Sequence, residues 1–345
     1  MDTASGLRLS RTTDRAAEVA ALTEAVTAAG GARVGVDGLL DDLSRRLRRT
    51  LAPHPRLLGR HVARALTWEA NDRADRNWWP QGITTAEHTG VAEQVLVTSW
   101  YAKDGQGVRL SFLDLRRRRY QHVLVVVPTL VDGRPGLAPL GVHAGGLVWH
   151  GRHLHVAATR RGFLTCDVAD VLRVPDPTPY AVGGYRYVLP VRWTHRAGSE
   201  EGVEPLRYSF LSLDRSTTTP ALVVGEYGSA RRTRRLVRIP VDDASGELLT
   251  DADGIARPVL VEDDGPPRMQ GAVVVDGRWY LTASQGHWTA GAVHAGRPGA
   301  FTDHWCATPM GPEDLVWSGH DDLLWSTTEH PHRRWVFAMR RTDFD

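Results

Sequence analysis

The stretch Gly146-Leu-Val-Trp-His-Gly-Arg-His-Leu-His-Val-Ala-Ala-Thr159 reads as two short strands around a tight turn at Gly151. It aligns with Gly271-Ala-Val-Val-Val-Asp-Gly-Arg-Trp-Tyr-Leu-Thr-Ala-Ser284, which turns at Gly277. With one inserted residue it also aligns with Asp314-Leu-Val-Trp-Ser-Gly-His-Asp-Asp-Leu-Leu-Trp-Ser-Thr327, which turns at Gly319. Each copy is an antiparallel hairpin whose turn calls for positive φ, hence the glycine. Self-similarity of this kind is the mark of an architecture built by repetition.

Working outward, Val95–Trp100, Arg109–Leu115 and Val123–Val127 match Val188–Trp193, Arg207–Leu213 and Ala221–Val224. Trp79-Pro-Gln-Gly-Ile83 is a divergent copy of Met269-Gln-Gly-Ala272. Together the copies predict repeat starts near residues 81, 146, 184, 271 and 314. Short period-two runs separated by Gly, Asp, Pro and Arg turns, without a Gly-rich βαβ unit, argue against a doubly wound α/β fold. The pattern from Trp78 to Arg341 resembles a five-bladed β-propeller, in which radial packing leaves only short, protected edges. The rival, a two-sheet sandwich, explains the strand count but not the repeated hairpins. Ring closure would pair Trp335–Met339 with an N-terminal strand such as Arg64–Trp68. Trp79–Ile83 followed by Ser99–Tyr101 also resembles uncharacterised actinobacterial propeller proteins, a resemblance that implies no reaction.

The predicted fold class is therefore all-β: a five-bladed β-propeller over residues 78–345, with residues 1–77 as a helical extension packed on it. In that extension Val19, Leu22, Val26 and Ala29 mark a helical face, with Thr13 or Asp14 as cap and Gly30-Gly31 as stop. Val36, Leu39, Leu40, Leu43 and Leu47 predict a second helix, and Pro55 opens a third carrying Leu58, Val62, Ala65 and Leu66. The Val62–Leu66 stretch thus has a helical reading and, through ring closure, a strand reading.

Composition sets the outer bounds. The 345 residues are 42% hydrophobic and 24% charged, which fits a globular protein and excludes disorder over most of the chain. No apolar run approaches the roughly 18 residues of a membrane-spanning helix, and the N-terminus lacks a secretory pattern. A cytoplasmic protein without a membrane partner is expected. Cys166 and Cys306 alone exclude a disulfide scaffold and a cysteine-based zinc site. With a net charge of +2, the Arg116–Arg119 run and the Arg231–Arg235 cluster are read as solvated strand ends, and no nucleic-acid partner is expected.

The repeats also locate a site, because loops entering the innermost strands of a propeller open on one face. Those entry positions hold Trp79 and Gln81, His143, roughly Tyr185, Arg268 and Gln270, and Glu313 with Asp314. Loops after the second strands hold Tyr101 and Lys103, Arg160, His195, Gln285 and His287, and Glu329 with His330. Convergent polar groups beside Trp79, Trp100 and Tyr101 describe a small-molecule pocket; the alternative is a polar plug of the channel. His143 and Glu313 are the candidate acid–base pair, expected to raise the histidine pKa and lower that of the glutamate. Trp79, Gln81, Trp100, Tyr101, Lys103, Arg160, Arg268, Gln270, Gln285 and His287 are the candidate substrate-binding residues. His150, His153 and His155 are read as strand-surface histidines, not metal ligands.

Five-bladed glycosidases resemble one another in placing three carboxylates around the axis. The equivalents here leave only Glu313 and Asp314, which argues against two-carboxylate hydrolysis. The absence of a G-x-S-x-G elbow, a P-loop and H-E-x-x-H removes other familiar chemistries. The expectation is a cofactor-independent enzyme, a lyase, cyclase, isomerase or hydrolase acting on a small organic substrate. The alternative is a non-catalytic propeller that binds a ligand or protein partner.

Overall fold

A computed structural model describes residues 3–50, 59–91, 94–229 and 231–345. Strands dominate it, and the helices are few and short. The strands run as antiparallel meanders. The first comprises Trp78–Thr85, Val95–Ala102, Val108–Asp114 and Arg119–Val131. The next comprises Leu147–His150, His153–Ala157, Gly162–Asp167 and Tyr187–Ser199. Phe210–Asp214, Ala221–Gly225, Leu236–Pro240 and Val259–Glu262 follow, then Met269–Val275, Arg278–Ala283, Gly291–Arg297 and Ala300–Thr308. The last meander, Pro312–Ser318, Leu323–Thr328 and Trp335–Arg340, takes Val62–Thr67 as a fourth strand, with Arg48–Arg49 paired outside it.

The leading strands of these meanders touch in cyclic order, 78–85 with 147–150, 147–150 with 210–214, and so on until 312–318 returns to 78–85. The arrangement is propeller-like. Glycine permits the close approach at its centre. A Cβ on Gly146 would stand 2.1 Å from the Leu211 nitrogen, and one on Gly271 would stand 2.4 Å from the Leu315 nitrogen. Buried side chains such as Phe112, Trp149, Leu154 and Val156 fill the wedges between neighbouring meanders.

Several sequence expectations need correction. The repeat start near 184 is wrong: the leading strand there is Phe210–Asp214, and Tyr187–Ser199 is the outer strand of the preceding meander. Val95–Trp100 and Val188–Trp193 are both mostly apolar runs ending in tryptophan, and such a run does not distinguish a second strand from a fourth. The outer strand also pairs in parallel with Leu124–Val126, fusing two meanders into one sheet. The third helix is likewise replaced: residues 51–58 lie outside the described residues, and Val62–Thr67 is a strand paired with Trp335–Met339. Tertiary pairing outweighs local helix propensity at this edge. The second helix is shortened to Gly35–Asp41, after which Arg45–Arg46 joins the first meander.

The first helix, Ala16–Ala28, buries Val19, Leu22 and Val26 as its spacing predicts. Neither Thr13 nor Asp14 caps it, because the N-cap residue is Arg15, without a side-chain cap. Ahead of the helix, Leu7–Arg11 lengthens the second meander by pairing with His195–Ser199. His150, His153 and His155 are buried, not on a solvent face. His153 packs on Trp193, and His155 packs on Phe163 and His195.

Candidate functional site at the axial face

The leading strands carry their polar side chains into the site through β-bulges. Register slips between Pro80 and Ile83, between Met269 and Gly271, and between Pro312 and Leu315. Each slip frees a residue from the ladder and re-aims its side chain; the freed residues include Gln81, Gln270 and Glu313. With His143, they line one cavity of about 310 Å³ together with Thr159, Arg207, Ser209, Tyr227, Arg232 and Glu329. A second cavity adjoins it through Tyr227, Arg232, Gln270 and Glu329, and Arg268, His287 and His330 line its far side.

Two carboxyls organise the floor. The Gln270 amide donates to Glu313 Oε1 at 3.2 Å, and the Gln81 amide donates to Glu329 Oε2 at 3.2 Å. Burial pushes Glu313 well above the usual carboxyl range, reinforced by the charges of Glu329 and Asp314. Burial also raises Glu329, to about 7, against the opposing pull of Gln81, Lys103 and Arg334. The Tyr101 hydroxyl goes up to about 12, through burial and the same two glutamates. Like-charged acids confined together hold their protons, since ionising both is costly.

His143 sits at the rim and is exposed to solvent, with its ring 4.3 Å from that of Tyr101. Protein packed around the exposed ring still moves its pKa down by desolvation. The expected imidazolium–carboxylate pair is therefore corrected in sign. Histidine moves down and glutamate moves up, so both groups favour their neutral forms.

Asp314 serves a different purpose. Its carboxylate accepts from the backbone nitrogens of Ile83 and Leu147 at 3.2 Å and of Leu315 at 3.0 Å. It ties leading strands together at the axis and lines neither cavity. The carboxyl count from entry positions left Glu313 and Asp314, and Asp314 does not reach the cavity. Glu329, just after the strand Leu323–Thr328, supplies the second acid, and its position in a loop after a second strand was the available signal.

The other candidates divide. Lys103 Nζ lies over the Trp79 ring at 3.2 Å from its centroid, beside the site. The Trp79 ring stands 5.9 Å from that of His330, and His330 stands 4.5 Å from His287. Gln285 lines a separate depression with Arg268, Asp303 and Trp305. Arg160 is exposed and lines none of these cavities. Trp100 is a correction: it is fully buried, edge-on to Trp68 and His122, because it faces the core side of its strand. Thr159, Arg207, Ser209, Tyr227 and Arg232 were not among the predicted residues. Thr159 has φ of +41°, and its buried hydroxyl lacks a partner among the described residues. Arg207 is steered by bonds to Glu204 and the Thr233 carbonyl.

Among known proteins, no family model matches the chain, and no curated protein matches it. Solved structures similar to it include a gluconolactonase from Xanthomonas campestris, 15% identical, covering 86% of this chain and 85% of that one, with a TM-score of 0.37. Another is an oligogalacturonate lyase from Vibrio parahaemolyticus, 9% identical over 88% of this chain and 98% of the other, TM-score 0.35. The Dos1 propeller is 9% identical over 70% of this chain and 54% of the other, TM-score 0.28.

Proposed function

We propose that the meanders are the blades of a five-bladed β-propeller, and that the cavity at its axial face is the active site of a cofactor-independent enzyme. Its substrate is a small organic molecule, and its chemistry is proton transfer without redox change, as in a lyase, cyclase, isomerase or hydrolase. The observation that carries this reading is the opposed displacement of His143 and Glu313 in one cavity. Near neutral pH a base is ready to accept a proton, and an acid is ready to give one.

In this scheme His143, at the rim, takes a proton from bound substrate, and Glu313, on the floor, delivers one to the developing anion. Gln81 and Gln270 hold the carboxyls in place, and Arg207 and Arg232 attract negative charge on the substrate. Glu329 keeps Glu313 protonated by its proximity.

The test uses a library of small metabolites incubated with the protein and followed by mass spectrometry. The wild type is expected to consume at least one compound, while Glu313→Gln and His143→Ala, folded by circular dichroism, leave it untouched. Equal consumption by all three proteins would remove the assignment. A second reading, a polar plug of the channel, is favoured by the Asp314 bonds to two neighbouring leading strands. It predicts that the same substitutions lower the melting temperature and leave ligand binding unchanged.

A further inference from the structure

A separate cavity of about 590 Å³ opens on the flank of the first meander, beneath the 181–186 loop. Arg45, Arg109, Arg186 and His122 line it, with Trp78 and Tyr185 as its aromatic walls. No carboxylate is among its described lining residues. Arg186 pairs with Asp42 at 2.9 Å, outside the cavity lining, and the acid that balances Arg45 and Arg109 lies behind the wall. Asp72, 4% exposed, accepts from the Tyr120 hydroxyl at 2.5 Å, Arg109 at 3.1 Å and Arg45 at 3.0 Å.

His122 joins the same network, with Nε2 3.0 Å from Asp72 and Nδ1 2.7 Å from the Ser111 hydroxyl. Burial and the Arg109 charge take its pKa down to about 4, so the ring is neutral; Nδ1 is bonded to Ser111, and Nε2 lies close to Asp72 without a hydrogen bond of good geometry. Serine, histidine and aspartate stand in a row, but Ser111 is fully buried and does not line this cavity. The network therefore fixes the wall and performs no chemistry on a ligand.

What the wall presents is Arg109. Its guanidinium lies between the rings of Trp78, 4.8 Å from the centroid, and Trp100, 4.4 Å. It donates to the Tyr185 hydroxyl at 3.2 Å, while its buried Nε–H has no partner among the described residues. A buried donor without an acceptor is costly, and an oxygen-bearing ligand would remove that cost. The charged groups on the cavity surface are all cationic, and the flat rings beside them suit a planar body.

We propose that this flank cavity is a second binding site, separate from the axial one, for a planar organic molecule carrying one anionic oxygen group. Benzoate is the probe, benzyl alcohol its neutral counterpart. Calorimetry on the full chain is expected to show benzoate binding at least about tenfold tighter, because a charge-assisted bond to a guanidinium outweighs a neutral one. Gln106→Glu adds a negative charge at an exposed position of the cavity lining and should weaken benzoate about fivefold at low salt. Arg109→Lys keeps the charge but loses the planar fork, and should weaken it as well. Arg232→Ala, in the axial cavity, should leave benzoate binding unchanged. Equal affinity for benzyl alcohol, no benzoate binding, insensitivity to Gln106→Glu, or loss of binding on Arg232→Ala would each overturn the proposal.

Discussion

Glu329 titrates near 7 because burial outweighs the Gln81 bond and the charges of Lys103 and Arg334. A carboxyl raised on folding binds more protons in the native state. Its neutral form therefore adds nothing against folding below about pH 4.5, and stability is lost as pH rises through 7. Glu329→Gln should accordingly stabilise the protein at pH 8 by about 1–3 kcal/mol and much less at pH 5, measured by urea unfolding. The same substitution removes a charge that raises Glu313, so the Glu313 carboxyl should titrate at lower pH in carbon-13 spectra. An unmoved Glu313 would separate the two acids electrostatically. Gln81, His143, Gln270 and Glu313 were readable as neighbours because aligned hairpins give their entry loops equivalent positions. Arg207 and Thr159 were not, since their place depends on a register that the strand pattern leaves open.

At the element scale, the bulges and the closing strand do most to form the site. Val62–Thr67 supplies the outer neighbour of Trp335–Arg340, burying Leu66. Removing residues 1–68 should leave that strand edge unpaired and apolar, giving an insoluble or unfolded product by circular dichroism. A folded, soluble 69–345 fragment would show the N-terminal segment to be dispensable. Arg334 links the same meander to the flank cluster. Fully buried, it donates to the Glu329 carbonyl at 2.8 Å and the Asp72 carbonyl at 2.7 Å. Burial lowers its pKa to about 10, so it remains charged at neutral pH. Arg334→Met leaves both carbonyls without this donor and should cost about 2–4 kcal/mol in urea unfolding.

Over the whole molecule, histidines set the acid limit. Burial lowers His122 to about 4 and His195 to about 3, and moves His150, His153 and His155 downward too. A base lowered on folding contributes stability that is fully present above its unfolded value near 6.5 and is lost as pH falls toward the folded value. Unfolding free energy should fall between pH 6.5 and 4 by up to about 1.4 kcal/mol per pH unit for each such histidine. His195→Phe, which preserves stacking on Phe163, should flatten that slope. A slope unchanged in the variant would place the acid sensitivity elsewhere. No described helix is long and apolar enough to cross a membrane.

The sequence by itself determined the strand-rich character, the turn glycines, the first helix and the axial convergence of several polar side chains. Those features follow from local periodicity and from repetition, which a single chain displays openly. Tertiary structure alone decided that Phe210–Asp214 leads a meander, and it settled residues 62–67 on their strand reading over their helical one. It also set the opposed titration of His143 and Glu313, because desolvation depends on everything packed around a group. The Asp72 cluster had no sequence signature at all. Asp72, Arg109, Ser111, Tyr120 and His122 meet only because a short helix, Ala70–Ala74, packs across two strands whose inward positions face it.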